Sequence, residues 1–279
     1  MPVPPAPPAP PALAAPRAPE FVQSLDRGLA VIRAFSRDRP RLTLSDVARE
    51  TGLTRAAARR FLLTLEALGY VGSDGRLFYL RPKVLELGFA YLSSATVAKV
   101  AQDHLEHLAD RLHESCSASV LDLPDIVYVA RAATNRIMTI SLTVGARLPA
   151  HCTSMGRVLL ASLDEETLAH YLATTAFHPL SDRTITDPLA IGAEIAVVRE
   201  RGWALQDQEL ETGVRSVAVP IHAADGAVIA AVNVSAHAAR VPLETLTGEF
   251  LEQLRRAAVS IDQDLAHGSI TTPPGLPIP

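Results

Sequence analysis

The 279 residues carry a net charge of −4, 48% apolar side chains and two cysteines. That is enough chain for two domains of ordinary size. It has too few cysteines for a disulfide framework, which suits a reducing cytoplasm. It also lacks any run of the roughly 18 uncharged apolar residues that a spanning helix needs, so no membrane partner is expected.

Residues 1–20 are rich in Pro and Ala, with neither a basic start nor an apolar core. They read as a disordered arm rather than a secretory signal. The net charge hides an asymmetry. Residues 20–95 hold 12 basic and 8 acidic side chains, whereas residues 96–279 hold 13 and 22. A basic front and an acidic rear suit a nucleic-acid module joined to one that avoids nucleic acid.

Ser24 is placed to cap a first helix whose Leu25, Leu29, Ile32 and Phe35 form one buried stripe. Arg37-Asp38-Arg39-Pro40 ends it. Thr43-Leu44-Ser45-Asp46 then reads as a capping box, opening a short helix that stops at Gly52. Leu53 plugs the turn and Thr54 caps the next helix. In that helix Ala58, Phe61, Leu62, Leu65 and Leu68 share a face, which turns Arg55, Ala56, Arg59 and Arg60 outward. Small residues at Ala56 and Ala57 allow close approach to a groove floor, and arginine pairs in bidentate fashion with guanine or clamps phosphate. Three arginines on a helix are ordinarily a solvated face; the capped turn before them and the hairpin after them reverse that reading. The hairpin is signalled by Asp74-Gly75 between two β-favouring runs, with Arg76 near its tip. Helix-turn-helix plus wing is a DNA-reading arrangement.

A short helix over 82–91 and a long one from Ser94 to Ser115 follow. Val97, Val100, Ala101, His104, Leu105, Leu108 and Leu112 form the stripe of the long one. His104 and His107 have no third partner at ligand spacing, so no metal is expected. Strands are expected at Ser117–Leu123, Ile126–Ala133 and Ile137–Val144. Helices are expected at Ser154–Ala161, Asp164–Thr174 and Asp187–Arg201. Strands return at Trp203–Gln208, Val214–Ile221 and Ala227–Ser235, and Leu243–Ala266 is a closing helix. This order argues for an α+β domain, an antiparallel sheet covered by helices.

Two stretches there carry chemistry. Gly145 to Arg157 is a polar loop at a helix start, where Thr153, Ser154 and the free amides of the next turn could hold a carboxylate or hydroxyl. Gln206 to Ser216 sets acids, Arg215 and Ser216 beside a strand, and Asn233 and Ser235 share one face of another. A pocket built from these accepts a small polar anion; capping and turn chemistry, with Arg215 in an ion pair, is the plainer alternative. His151 beside Cys152 invites a thiolate reading, but adjacent side chains seldom face each other. Cys116 reads as an inert small residue. Walker loop, dinucleotide fingerprint, zinc spacing and Gly-x-Ser-x-Gly are all missing, so neither a cofactor nor an enzymatic activity is expected.

The motifs SLDRGLAVIRAF, LLTLEALGYV, YLRPKVLELG, PAHCTSMGRVLLA, GWALQDQELETGVRSVAVPI and DGAVIAAVNVS together resemble the IclR family of bacterial transcription regulators, over about Phe21 to Ala266. The wording LPA…TSMGRVLLA and DQELETGVRS is most similar to the subgroup that governs protocatechuate and 4-hydroxybenzoate breakdown in the β-ketoadipate pathway.

The resemblance implies an α+β chain with an N-terminal winged helix-turn-helix, linker helices and a C-terminal GAF/PAS-like antiparallel sheet with helices. The divisions fall at 1–20, 21–82, 83–115, 116–267 and 268–279, the last a disordered tail. It implies a cytoplasmic homodimer or dimer of dimers whose partners are double-stranded operator DNA and a small aromatic carboxylic acid. DNA contacts fall on Thr43, Ser45, Thr54, Arg55, Ala56, Ala57, Arg59, Arg60 and Arg76. Effector contacts fall on Arg147, His151, Cys152, Thr153, Ser154, Met155, Asp207, Glu209, Arg215, Ser216, Asn233 and Ser235. Some relatives have cysteine where Ser216 stands and serine where Asn233 stands. The alternatives are an IclR-type regulator of another small organic acid, or a sensor-fold enzyme using Cys152.

Overall fold

The structure is a computed structural model that describes residues 21–36, 38–88, 96–134 and 142–267. The Pro/Ala arm, the C-terminal tail, the start of the long helix and most of the expected strand Ile137–Val144 lie outside the described residues. The chain divides into two compact units, Met1–Phe89 and Ala90–Pro279.

The first unit opens with α1 (Gln23–Arg33), followed by β1 (Arg41–Thr43), α2 (Leu44–Thr51), α3 (Arg55–Ala67), β2 (Val71–Ser73) and β3 (Leu77–Leu80). The capping box is present. Thr43 Oγ1 accepts from the Asp46 amide, and the Asp46 carboxylate accepts from the Thr43 amide. Gly52 closes α2 in the left-handed region, φ 65°, where a side chain would be strained. Thr54 caps α3 by accepting from the Ala57 amide. A small core of Val31, Ala34, Phe35, Leu42, Val47, Ala58, Leu62, Leu65 and Val71 holds the helices on the sheet.

Three expectations need correction. The first helix starts after Val22, with no side-chain cap, so Ser24 lies inside it. Its expected stripe holds only in its second half, where Phe35 is buried and Ile32 packs against the core. Leu25 is 62% and Leu29 44% exposed, and the buried residue is Val31, continued by Ala34 and Phe35. Only the C-terminal end of α1 reaches the core, so the apolar spacing of its first half has nothing to pack on within this unit. Leu68, at the C-cap of α3, is likewise exposed. The strand β1 is too short for its period to be read. It pairs antiparallel with β3 through Leu42↔Phe78, giving the order β1-β3-β2.

The second unit runs α4 (Thr96–Leu112), β4 (Ser115–Asp122), β5 (Asp125–Ala132), β6 (Arg147–Pro149), a 3₁₀ turn (Ala150–Cys152), α5 (Ser154–Ala161), α6 (Glu165–Thr174), α7 (Pro188–Arg201), β7 (Ala204–Asp207), β8 (Val214–His222), β9 (Val228–His237) and α8 (Leu251–His267). A π-turn over Leu246–Phe250 interrupts the closing helix that the sequence reads as continuous from Leu243. The six strands form one antiparallel sheet, β6-β5-β4-β9-β8-β7.

Strand alternation sorts the sheet into two faces. Cys116, Ala118, Ala130, Ala132, Val217, Val219, Ile221, Val232 and Val234 face α4 and α8 in one apolar layer. The opposite face lies against α5 and α7, with Ile126, Tyr128, Ala218 and Ala231 joining Met155, Leu160, Ile191 and Ile195. Between these, that second face also carries Ser117, Ser216 and Asn233, polar yet nearly fully buried, with Ser235 half-buried beside them. Buried polar groups are the informative departure from the usual pattern. A bulge between Ala118 and Ser119 breaks the parity of β4 against β5.

Candidate functional site

In the first unit, the outward side of α3 carries Arg55, Ala56, Arg59 and Arg60, all exposed, with Ala57 half-buried behind them. Neighbouring arginines are occupied: Arg39 pairs with Glu50, Arg41 with Asp74 and Arg49 with Asp46. Among the described residues Arg55, Arg59, Arg60 and Arg76 enter no ion pair. These four guanidiniums therefore remain available to an anionic partner. Arg76 sits on a wing turn fixed from within. The Asp74 carboxylate accepts from the Arg76 and Leu77 amides, which holds its pKa below the usual range, and Gly75 takes φ 93°. Ser45 and Thr54 are exposed on the same unit. The Thr43 hydroxyl is spent within its capping box, because it also donates to Asp46.

In the second unit a cavity opens on the polar sheet face. Tyr128, Leu142, Thr153, Ser154, Gln206, Leu210, Glu211, Val214, Ser216, Asn233 and Ser235 line it. Its free volume is about 20 Å³, room for about one water, so a benzoate-sized ligand must displace side chains to enter. Thr153 caps α5 by accepting from the Gly156 amide. The Ser154 and Ser216 hydroxyls share one hydrogen bond, 2.7 Å, which leaves one hydroxyl proton for a ligand. Asn233 donates to Ser235 Oγ at 3.0 Å, while its Oδ1 has no partner; Glu211 Oε2 is also buried without one. The Gln206 amide orients its oxygen to accept from the backbone of Glu209, 2.6 Å, and Leu210, 2.8 Å, which fixes the loop after β7. Burial pushes the Tyr128 phenol up to about 12, so it stays protonated and able to donate.

Of the effector residues expected from sequence, Thr153, Ser154, Ser216, Asn233 and Ser235 come together here. The others are placed differently. Arg147 is exposed and pairs with Asp122 and Asp125 at the β4–β5 turn. Asp207 and Arg215 pair with each other, and Asp207 also with Arg183. Glu209 is locked to Arg157, which is 2% exposed: Arg157 Nη2 donates to Glu209 Oε2 at 2.6 Å and its Nε to the His151 carbonyl. This pair joins α5 to the β7–β8 loop and so fixes two cavity walls. Met155 lies in the core, accepting from Ser119 Oγ through its sulfur. His151 is 3% exposed, edge-on to Phe177 at 5.0 Å, with both ring nitrogens unpaired. Its pKa is pushed down to about 4 by burial and then by Arg157.

Cys152 is buried, and burial pushes its thiol up to about 12. The thiolate that covalent catalysis needs is thus absent at neutral pH. Among the described residues no group of acidic, histidine and cysteine side chains could hold a metal, and no helix is long and apolar enough to cross a membrane. Tyr128 and Glu211 were within reach of sequence reasoning, one by strand alternation and the other inside the polar stretch before Ser216. Arg157 was not, since its partner is 52 residues away.

Two sequence families match the chain: "IclR helix-turn-helix domain" over residues 24–75 and "Bacterial transcriptional regulator IclR C-terminal" over residues 89–263. The chain is 48% identical over 250 residues to the Pca regulon regulatory protein of Pseudomonas putida, covering 89% of this chain and 84% of that one. It is 38% identical over 244 residues to the p-hydroxybenzoate hydroxylase transcriptional activator of Acinetobacter baylyi, covering 86% and 90%. A crystal structure of an IclR homologue from Microbacterium hydrocarbonoxydans complexed with 4-hydroxybenzoate superposes with a TM-score of 0.76 at 27% identity, covering 87% and 98%.

Proposed function

Because the chain belongs to the IclR family of bacterial transcriptional regulators, we propose that it binds operator DNA through α3 and the wing, and that a small aromatic acid in the second unit controls that binding. The genes governed are those of aromatic acid breakdown, with protocatechuate or 4-hydroxybenzoate as the effector. The relatives' names support this, one being an activator of p-hydroxybenzoate hydroxylase and another a homologue complexed with 4-hydroxybenzoate.

The observation that carries the reading is the buried cavity whose polar groups include two unpaired acceptors, Asn233 Oδ1 and Glu211 Oε2. A buried acceptor without a partner costs about 1–3 kcal/mol, a cost a bound ligand removes by donating to it. The strands that floor the cavity also carry α4 on their other face. Ser117 and Asn233 point inward, while Cys116, Val232 and Val234 contact the apolar layer under α4. Opening the cavity therefore presses on the layer that seats α4. Only a difference in acid affinity between two arrangements turns this into regulation.

The operator is read as a homodimer or dimer of dimers, so that two winged helices meet successive half-sites. The test is an anisotropy titration of the DNA upstream of the protein's own gene, at fixed salt, with and without each acid. Sequence-selective binding that changes with acid supports the reading. Binding indifferent to every aromatic acid would leave a DNA-binding protein under some other control.

A further inference from the structure

On the polar sheet face, one half-buried cation has no anion. Arg131 lies in β5, directly opposite Ser117 of β4, which is in turn directly opposite Asn233 of β9. Arg131 Nη1 donates to Ser117 Oγ at 3.2 Å. The guanidinium is thus laid across β4 toward Asn233, on the face that floors the cavity. Its Nε is buried without a partner, and no carboxylate lies within ion-pair distance among the described residues. Burial lowers its pKa, as expected of a partly desolvated charge without a carboxylate partner. Tyr128, a cavity residue, is near enough to feel that charge.

The cavity, whose lining stops short of Arg131, has the complementary lack. Asn233 Oδ1 and Glu211 Oε2 are acceptors without donors, and the Glu211 carboxylate repels a second anion. Arg131 and Asn233 stand two strand spacings apart, roughly 10 Å between backbones, and the Arg131 guanidinium reaches Ser117 on the strand between them.

We propose that Arg131 anchors the carboxylate of the effector, and that the unpaired acceptors of the cavity, Asn233 and Glu211, take its hydroxyl hydrogen. Arg131 also borders an open groove along α4, beside Glu106 and Asp110. Both stand beyond ion-pair distance, so neither takes the place of the ligand's carboxylate. This inference rests on the cavity being the effector site.

The experiment is calorimetry on the full chain with 4-hydroxybenzoate and its neutral amide, 4-hydroxybenzamide. It compares the natural protein with Arg131→Met and Arg131→Lys. The natural protein should prefer acid over amide by about 30-fold or more, the scale of a buried charge-assisted pair. Arg131→Met should lose that preference, with acid affinity falling about 30-fold and amide affinity little changed. Arg131→Lys should keep an intermediate preference, since lysine supplies the charge without the planar fork. A melting temperature measured without ligand separates a folding defect from a binding one, and Arg131→Lys carries the test should the Met variant fail to fold. Equal preference for acid over amide in the natural protein and both variants overturns the role of Arg131. A natural protein that binds no aromatic acid overturns the effector reading beneath it instead.

Discussion

Replacing Gly156 with Ala should destabilise the second unit, although alanine is the better helix former. Gly156 is the third residue of α5, and its amide donates to the Thr153 cap at 3.2 Å. A Cβ there would lie 2.1 Å from the Ala150 carbonyl oxygen, 2.5 Å from Ala150 Cα and 2.5 Å from Thr153 Oγ1. Two of these atoms are backbone of the 3₁₀ turn and cannot rotate aside. Helix propensity favours alanine by about 1 kcal/mol. Against that, forced overpacking costs about 1–3 kcal/mol or more, and a disturbed cap about 1 kcal/mol. The net expectation is a loss of about 2 kcal/mol, which for a unit of this size lowers the melting temperature by roughly 4–8 °C. Thr153 and Ser154 line the cavity, so affinity for aromatic acid should fall with it. Calorimetric melting reads the first effect and titration the second. A melting temperature that stays level or rises would mean that the 3₁₀ turn yields freely, and the close packing inferred at α5 would be wrong.

Three other perturbations follow from the same geometry. Arg59→Ala should weaken operator binding by about 1–3 kcal/mol if the side chain pairs with a base; affinity unchanged in a salt-controlled titration would place Arg59 off the DNA. Glu209→Ala leaves the buried Arg157 with only the half-exposed Glu194 at 3.9 Å, a cost approaching the roughly 3–5 kcal/mol of a broken buried pair, whereas Glu209→Ala with Arg157→Met should recover much of it; strictly additive losses in urea unfolding would show that the pair is not coupled. His151 stays neutral in the fold down to about pH 4, while in the unfolded chain it takes a proton near pH 6.5. Stability should therefore fall as pH drops from about 6.5 to 4, by at most about 3 kcal/mol, and His151→Phe should flatten that part of the profile. An unchanged profile would assign the acid sensitivity to other groups.

The local signals were legible because they act over a few residues. Thr43 to Asp46, Gly52, Thr54 and Asp74-Gly75 each fix a backbone turn by themselves, so the winged helix could be placed to within a residue or two. Elements defined only by a distant partner could not be read. β1 and β6 are three residues each, too short for a period, and exist because β3 and β5 pair with them. The first half of the α1 stripe, Leu25 and Leu29, was misplaced for a related reason, since spacing tells which residues share a face but not where the neighbouring core ends.

The effector stretch shows the same limit. Asp207, Glu209 and Arg215 are the charged residues of a polar run, and charge alone suggested a ligand. Their partners are Arg183, Arg157 and one another. What is left to face the cavity is the less conspicuous set, Gln206, Glu211 and Ser216. Arg131 was hidden by the bulge at Ala118/Ser119, which shifts the parity by which its face would be counted.

The central claim is that acid and operator act on one equilibrium, and reciprocity tests it most directly. The affinity of 4-hydroxybenzoate or protocatechuate should be measured by calorimetry for the free protein and for the protein saturated with operator DNA, at one salt concentration. If the cavity controls α3 and the wing, operator must change the acid's affinity by the same factor by which acid changes the operator's, roughly 5- to 150-fold. Equal acid affinity in the two states would contradict the account, whatever the acid's strength of binding.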